Sequence, residues 1–106
     1  MKFKVLVSKT ALIDLETIME YYWRLNHKTA KQYYEEILLC AKKLSSFPEI
    51  GRIVPEFEEN FMDKYRELVY EHYRIIYRIE SKQVLIIRIV DSRRLLTFDY
   101  VRDLPD

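Results

Sequence analysis

Arginines recur inside the segments of this 106-residue sequence that have the alternating pattern of β-strands. Residues 65–79 contain Arg66, Arg74 and Arg78, and Arg88 lies in the β-branched run that follows. A guanidinium group stays charged at any cellular pH and binds phosphate through a planar fork of N–H donors. These arginines are therefore either solvated positions on the exposed face of a half-buried sheet or a working surface for an anionic partner.

Groups that could transfer a proton are fewer. If the anionic partner is a phosphodiester that the protein cleaves, the reaction needs a base for the nucleophile and an acid for the leaving oxygen, and an ordinary arginine is a poor choice for either role. The candidates are His72, Asp91 and Tyr100. The alternative is that His72 is a turn residue without a role and that Tyr100 packs near the C-terminus. Two histidines and one cysteine offer no metal-ligand spacing, so we expect neither a metal nor a cofactor.

The first elements that would position these residues follow from periodicity. Alternating apolar residues predict a strand over 3–7, and Ser8 is expected to cap the helix that comes next. The three-and-four spacing of apolar residues continues to a break at 26–27, and a second helix is expected from about Thr29 until Pro48 ends it. The short break predicts an antiparallel helical hairpin.

Three more strands are expected after an acidic, irregular connector at 49–63. Alternation and β-branched runs place these strands at about 64–70, 73–80 and 83–91. The order β-α-α-β-β-β in a single domain of residues 1–106 predicts an α+β fold. In this fold one antiparallel sheet, which includes the N-terminal strand, packs a helical hairpin on one face.

Side-chain alternation in these strands predicts which face carries the arginines. The odd-numbered residues of both 73–80 and 83–91 are mostly large and apolar, so we expect them to face the helices. Arg74, Arg78 and Arg88 would then lie on the open face. Arg66 stays undecided, because a two-residue turn at 71–72 puts it on the helical side and a three-residue turn puts it beside Arg74.

Charge is distributed unevenly along a chain whose net charge is only +1. Residues 64–94 carry eight Lys/Arg against four Asp/Glu, whereas residues 49–63 carry one against five. The basic segment is either ordinary surface solvation or a face for phosphates or an acidic partner. There is no apolar run long enough to span a membrane, Cys40 has no disulfide partner, and the N-terminus lacks the pattern of a signal peptide, so we expect a cytoplasmic protein without membrane contact.

Four stretches together resemble the RelE/ParE superfamily of type II toxin–antitoxin toxins. They are SKTALIDLETIMEYY, FPEIGRIVPEF, YRELVYEHYRIIYRI and VLIIRIVDSRR, and they occur in that order along nearly the whole chain. The pieces GRIVPE and RELV are more similar to the ParE-like, plasmid-stabilisation branch than to the RelE branch. The order of elements expected above is also the order found in this superfamily.

The resemblance implies a toxin that arrests growth until a cognate antitoxin neutralises it, as a homodimer or in a toxin–antitoxin hetero-oligomer. RelE-like members cleave messenger RNA on the ribosome without a metal, and ParE-like members poison DNA gyrase. Three readings are therefore open: a ribosome-dependent endoribonuclease, a non-enzymatic gyrase inhibitor, and a detoxified co-repressor that still binds antitoxin.

The resemblance also suggests roles for individual residues. It implies catalytic roles at Arg66, Arg74, Arg93 and Tyr100, with Arg94 beside Arg93. The candidates for substrate contact are Arg94, the strand residues Arg78 and Arg88, which have no counterpart in the matched motif, and His72, the histidine near the basic strands. Leu68 and Asp91 depart from the nuclease pattern, since relatives show a lysine and a histidine there. If the open face is the working surface, Arg74→Ala should abolish growth arrest while changing stability by no more than about 0.5 kcal/mol.

Overall fold

A computed structural model describes residues 2–58 and 64–92 of the chain. The fold is α+β, as expected, with one five-stranded sheet and a helical hairpin packed on one of its faces. The elements in chain order are β1 (Lys4–Val7), α1 (Lys9–Leu25), α2 (His27–Ser46), β2 (Arg52–Ile53), α3 (Pro55–Glu58), β3 (Tyr65–Tyr70), β4 (Tyr73–Glu80) and β5 (Gln83–Asp91).

The sheet has the strand order β1-β5-β4-β3-β2. β2 through β5 pair antiparallel, but β1 pairs parallel to β5, with Val5 opposite Val84 and Val7 opposite Ile86. The expectation of one antiparallel sheet is therefore wrong at its N-terminal strand. β1 lies beside the last strand rather than beside a sequence neighbour, and local patterns do not reveal such a long-range partner.

The helical hairpin begins and turns at two capping side chains. Ser8 Oγ accepts a hydrogen bond from the Ala11 N–H and donates one to the Ile87 carbonyl, so it caps α1 and ties it to β5. Asn26 ends α1, and its Oδ1 accepts from the N–H groups of Lys28 and Thr29. Because Asn26 caps the second helix directly, α2 begins at His27, two residues before the expected start.

Both faces of the sheet carry a hydrophobic core. The helical face buries apolar residues of α1 and α2 against β4 and β5, with Leu44 and Tyr77 fully buried. The far face, which is the side of the sheet that carries Ile76 of β4, packs against Val54 and Phe57. The connector expected to be irregular therefore contains β2 and α3, and it closes over part of the face that was expected to be open.

A β-bulge in β5 changes which of its side chains face the helices. Ile76 pairs with Arg88 and Tyr77 pairs with Ile86, so Ile87 is the extra residue. Ile86 and Ile89 therefore lie in the core under the helices, while Ile87 packs on the far face. The simple alternation expected for this strand is wrong because it assumes an unbroken ladder.

Candidate functional site

Arg74 is buried on the far face, not solvated. Its Nε donates to Glu67 Oε1 at 2.6 Å, and its Nη1 and Nη2 donate to the two carboxylate oxygens of Glu56, each at 2.6 Å. Arg74 is 5% exposed and Glu67 1% exposed. Alternation correctly placed Arg74 opposite the helical face, but the expectation that it is open to solvent is wrong, because α3 brings Glu56 over it.

The ion-pair network continues from Glu67 to β2. Glu67 Oε2 accepts from the Nε and Nη2 of Arg52, both at 2.7 Å, so this buried carboxylate lies between two guanidinium groups. The hydrogen bonds that Arg74 donates to Glu56 and then to Glu67 raise its pKa, against the opposing effect of burial. The charges of these four described residues, Arg52, Arg74, Glu56 and Glu67, sum to zero.

Arg66 lies on the helical side of the sheet, apart from Arg74. The β3–β4 turn has two residues, Glu71 and His72, and this turn decides the alternative that the sequence left open. Arg66 Nη1 donates to the Gly51 carbonyl at 2.8 Å. Next to it, the Tyr77 hydroxyl donates to the Pro48 carbonyl and accepts from the Gly51 N–H. These bonds hold the turn before β2 against the sheet.

Arg78 and Arg88 also contact carboxylates of the chain itself. The Nε of Arg78 lies 2.6 Å from Glu80 Oε1, although this short contact lacks the alignment of a good hydrogen bond. Arg88 donates from Nε and Nη2 to Asp14 of α1 at 2.8 and 2.9 Å. The expectation that Arg88 lies on the open face is wrong, since its guanidinium group is turned towards α1.

His72 belongs to an aromatic cluster where the helical hairpin meets the β3–β4 turn. Its Nε2 lies 2.9 Å from the Tyr22 hydroxyl, which also accepts a 3.4 Å hydrogen bond from Tyr73. The Tyr22 and Tyr33 rings stack with centroids 4.2 Å apart. The neighbouring Tyr22 hydroxyl, followed by burial, raises the pKa of Tyr33 to about 12, while burial is the main cause that raises the pKa of Tyr22 and Tyr73.

Three of the residues named as site candidates, Arg93, Arg94 and Tyr100, lie outside the described residues. Within the described part of the chain, Arg66, Arg74, Arg88 and His72 do not converge on one cavity. Arg74 and Arg78 share the far face, Arg66 holds a turn, and Arg88 and His72 lie at the edge of α1. The sequence suggested that these arginines form one phosphate-binding face. In the structure each of them instead makes its own contacts with other groups of the protein.

An apolar hollow lies on the outer side of the helical hairpin. Its lining includes Met19 and Trp23 of α1 and Ala30 and Tyr34 of α2, and Leu12 extends it along α1. Trp23 is 54% exposed and Leu12 47%. We call this the hairpin groove. Its residues follow the same spacing as core residues, so periodicity alone does not separate them from the core.

Residues 2–58 and 64–92 contain neither a cluster of metal-binding side chains nor a membrane-spanning helix. No group of three or more histidine, cysteine, aspartate or glutamate side chains is arranged to hold a metal ion there. None of the described helices is long and apolar enough to cross a bilayer.

Comparison with known proteins gives a family and a matching fold. The family described as "ParE toxin of type II toxin-antitoxin system, parDE" matches residues 5–96. A solved chain of the "Chromosomal ParDE TA system from P. aeruginosa" is similar at a TM-score of 0.70 and 21% identity, with 84% of this chain and 95% of that chain covered. No curated protein sequence matches significantly. Because the family match spans nearly the whole sequence, the chain belongs to the ParE toxin family of type II toxin–antitoxin systems.

Proposed function

We propose that this toxin arrests growth by binding a protein target, DNA gyrase in the first instance, and not by cleaving messenger RNA. The observation that carries the proposal is the state of Arg74, one of the arginines to which the superfamily resemblance assigned a catalytic role. Both edges of its guanidinium group are occupied by Glu56 and Glu67. A phosphate would have to displace a two-point carboxylate contact in a buried site and would meet two negative charges there.

Two other candidate arginines among the described residues support the same reading. Arg66 is directed to a backbone carbonyl, and Arg88 is bound at two points by Asp14. Stabilising a phosphorane needs positive groups that converge on one point, and these side chains point to separate places. A protein target requires no such convergence.

The test separates the two mechanisms in the same cells. Induced expression in a bacterial host should give DNA damage and leave messages on the ribosome intact. In vitro, the purified toxin should inhibit supercoiling by purified gyrase and should leave messenger RNA uncut on purified ribosomes. Cleaved messages without DNA damage would contradict the proposal, and harmless expression would favour the detoxified co-repressor.

The cognate antitoxin is proposed to bind the hairpin groove through an amphipathic helical segment. The groove has an apolar floor, and Glu20, Arg24 and Lys31 lie on its lining, which is the pattern of an interface with an apolar centre and a polar rim. Such a complex would act in the cytoplasm as a toxin–antitoxin hetero-oligomer.

Trp23→Ala should test this assignment. Removing the most exposed aromatic ring of the groove should weaken antitoxin binding by about 2 kcal/mol, as is typical for a tryptophan at the centre of an interface. Titration calorimetry with the purified antitoxin measures the loss. Leu39→Ala, which truncates an exposed residue outside the groove, is the control. Equal affinities of wild type and Trp23→Ala would place the antitoxin elsewhere, for example at a sheet edge.

A further inference from the structure

Four charged side chains lie along the rim of the hairpin groove, and their signs divide it into two ends. Glu16, Glu20 and Arg24 are spaced four residues apart, so they follow one side of α1. Lys31 of α2 lines the same hollow as Arg24, close to where the two helices join. Glu16 and Glu20 line the hollow that continues towards the start of α1. The end of the groove at the hairpin turn is therefore basic, and the other end is acidic.

The protein does not pair these four charges within its described part. Among residues 2–58 and 64–92 none of them forms an ion pair, whereas the sheet residues Arg74 and Arg88 are each bound by carboxylates. All four rim residues are exposed. A partner that covers the apolar floor removes water from the charges beside it. That partner has to supply the opposite charge at each end or lose affinity.

The aromatic ring at the basic end is held in place before a partner binds. His27, the first residue of α2, stacks on Trp23 of α1 with the ring centroids 3.6 Å apart and the ring planes inclined by 11°. Trp23 is nevertheless more than half exposed. A tryptophan ring that is already fixed loses little freedom on binding, so the strongest apolar contact of the groove is expected at this end.

The same pattern favours a helix over a nucleic acid. The basic end has an apolar floor, and Glu20 lines the same hollow as Arg24 and Lys31, where it would repel a run of phosphates. An amphipathic helix instead presents an apolar stripe with charged residues along its borders. Such a helix covers the floor and meets the rim charges at the same time.

We infer that the groove selects its antitoxin by the sign of the charges at its two ends. The helix of the cognate antitoxin places an acidic residue against Arg24 and Lys31, next to the ring of Trp23, and a basic residue opposite Glu16 and Glu20. The inference rests on the proposed function, because it concerns the groove to which the antitoxin was assigned. It adds what separates a cognate helix from other amphipathic helices, which the apolar floor alone would also accept.

Two double variants of the full-length toxin reverse the two ends separately. Arg24→Glu/Lys31→Glu makes the toxin more acidic and should weaken binding of the purified antitoxin encoded beside it by at least about thirtyfold. Glu16→Lys/Glu20→Lys makes the toxin more basic and should also weaken binding, by at least about fivefold. Titration calorimetry measures both losses.

A matched control separates the rim charges from the general field of the protein. Lys4→Glu/Lys64→Glu reverses two exposed lysines outside the groove, in β1 and just before β3, with the same change in net charge as Arg24→Glu/Lys31→Glu. Charges far from the contact are screened by salt, so this control should bind within about threefold of wild type at physiological ionic strength. All three variants should unfold as cooperative folds.

Three results would overturn the inference. A loss in the control equal to that of Arg24→Glu/Lys31→Glu is one, and tighter binding by Glu16→Lys/Glu20→Lys is another, because both indicate long-range attraction of an acidic antitoxin. The third is full affinity in both rim variants. In that case the groove remains the proposed antitoxin site if Trp23→Ala still weakens binding, and full affinity in Trp23→Ala as well would remove that site too.

Discussion

At the scale of single residues, Arg74 is a structural side chain whose removal should be costly. Arg74→Ala deletes the centre of a buried network and leaves the carboxylate of Glu67 buried beside Arg52. Breaking a buried ion pair from one side costs about 3–5 kcal/mol. We therefore expect urea unfolding to show a loss of about 3 kcal/mol or more, not the 0.5 kcal/mol expected of a solvated residue.

A matched variant on the same strand face makes this test specific. Arg78→Ala removes a guanidinium group whose carboxylate partner, Glu80, is mostly exposed, so the loss should stay near or below about 1 kcal/mol. Equal losses for the two variants would mean that burial of the network contributes little. A loss of toxicity in Arg74→Ala is informative only at a temperature where the variant is still folded.

Sequence alternation predicted part of this arrangement. It placed Arg74 and Arg78 on the face opposite the helices, because side chains in a strand alternate strictly. It could not predict that Glu56 covers Arg74, since Glu56 is 18 positions away along the chain. Their contact depends on how α3 folds back on the sheet.

At the scale of elements, β2 and its turn depend on close contact between backbones at Gly51. A Cβ at this position would lie 2.6 Å from the Glu67 carbonyl and 2.6 Å from the Tyr77 hydroxyl. The Tyr77 ring can move a little, but the β3 backbone cannot without disturbing its ladder. Gly51→Ala should therefore destabilise the fold by about 1–3 kcal/mol in urea unfolding.

Ser46→Ala, an exposed substitution at the end of α2, serves as the control and should change stability by less than about 0.5 kcal/mol. Unchanged stability in Gly51→Ala would show that the turn at Gly51 moves away from both the Glu67 carbonyl and the Tyr77 hydroxyl at little cost. A crystal structure of the variant would then have to show the hydroxyl separated from the Pro48 carbonyl.

The strands from 65 onward were predicted within one residue, because each has a regular alternation bounded by polar turns. β2 and α3 were not predicted, since two and four residues are too short to show any period. The bulge in β5 was missed for a different reason. Its extra residue, Ile87, is as apolar as its neighbours and leaves no sign in the sequence.

At the scale of the whole molecule, the aromatic cluster joins the hairpin to the sheet and should make stability depend on alkaline pH. Burial is the main cause that raises the pKa of Tyr22 and Tyr73 above the ordinary value of 10.0, and the Tyr22 hydroxyl, followed by burial, raises that of Tyr33. For an acid whose pKa is higher in the folded state, the neutral form is favoured by folding. The stabilisation of the fold by such a group is complete below about pH 10. It is lost as the pH rises further, because the group ionises in the unfolded chain before it ionises in the folded one.

The contribution of these tyrosines to the free energy of unfolding should therefore stay level up to about pH 9.5. It should fall between about pH 10 and pH 12, because the pKa of Tyr33 is raised to about 12. Tyr33→Phe removes one of the ionising groups, so the slope above pH 10 should be smaller even if the variant is less stable at neutral pH. Urea titrations at a series of pH values measure the slope directly.

Leu39→Ala, which removes no tyrosine, should keep the wild-type slope. If Tyr33→Phe keeps it too, Tyr33 does not contribute to the alkaline loss, which must then arise at the other tyrosines whose pKa is raised by burial: Tyr22, Tyr70, Tyr73 and Tyr77.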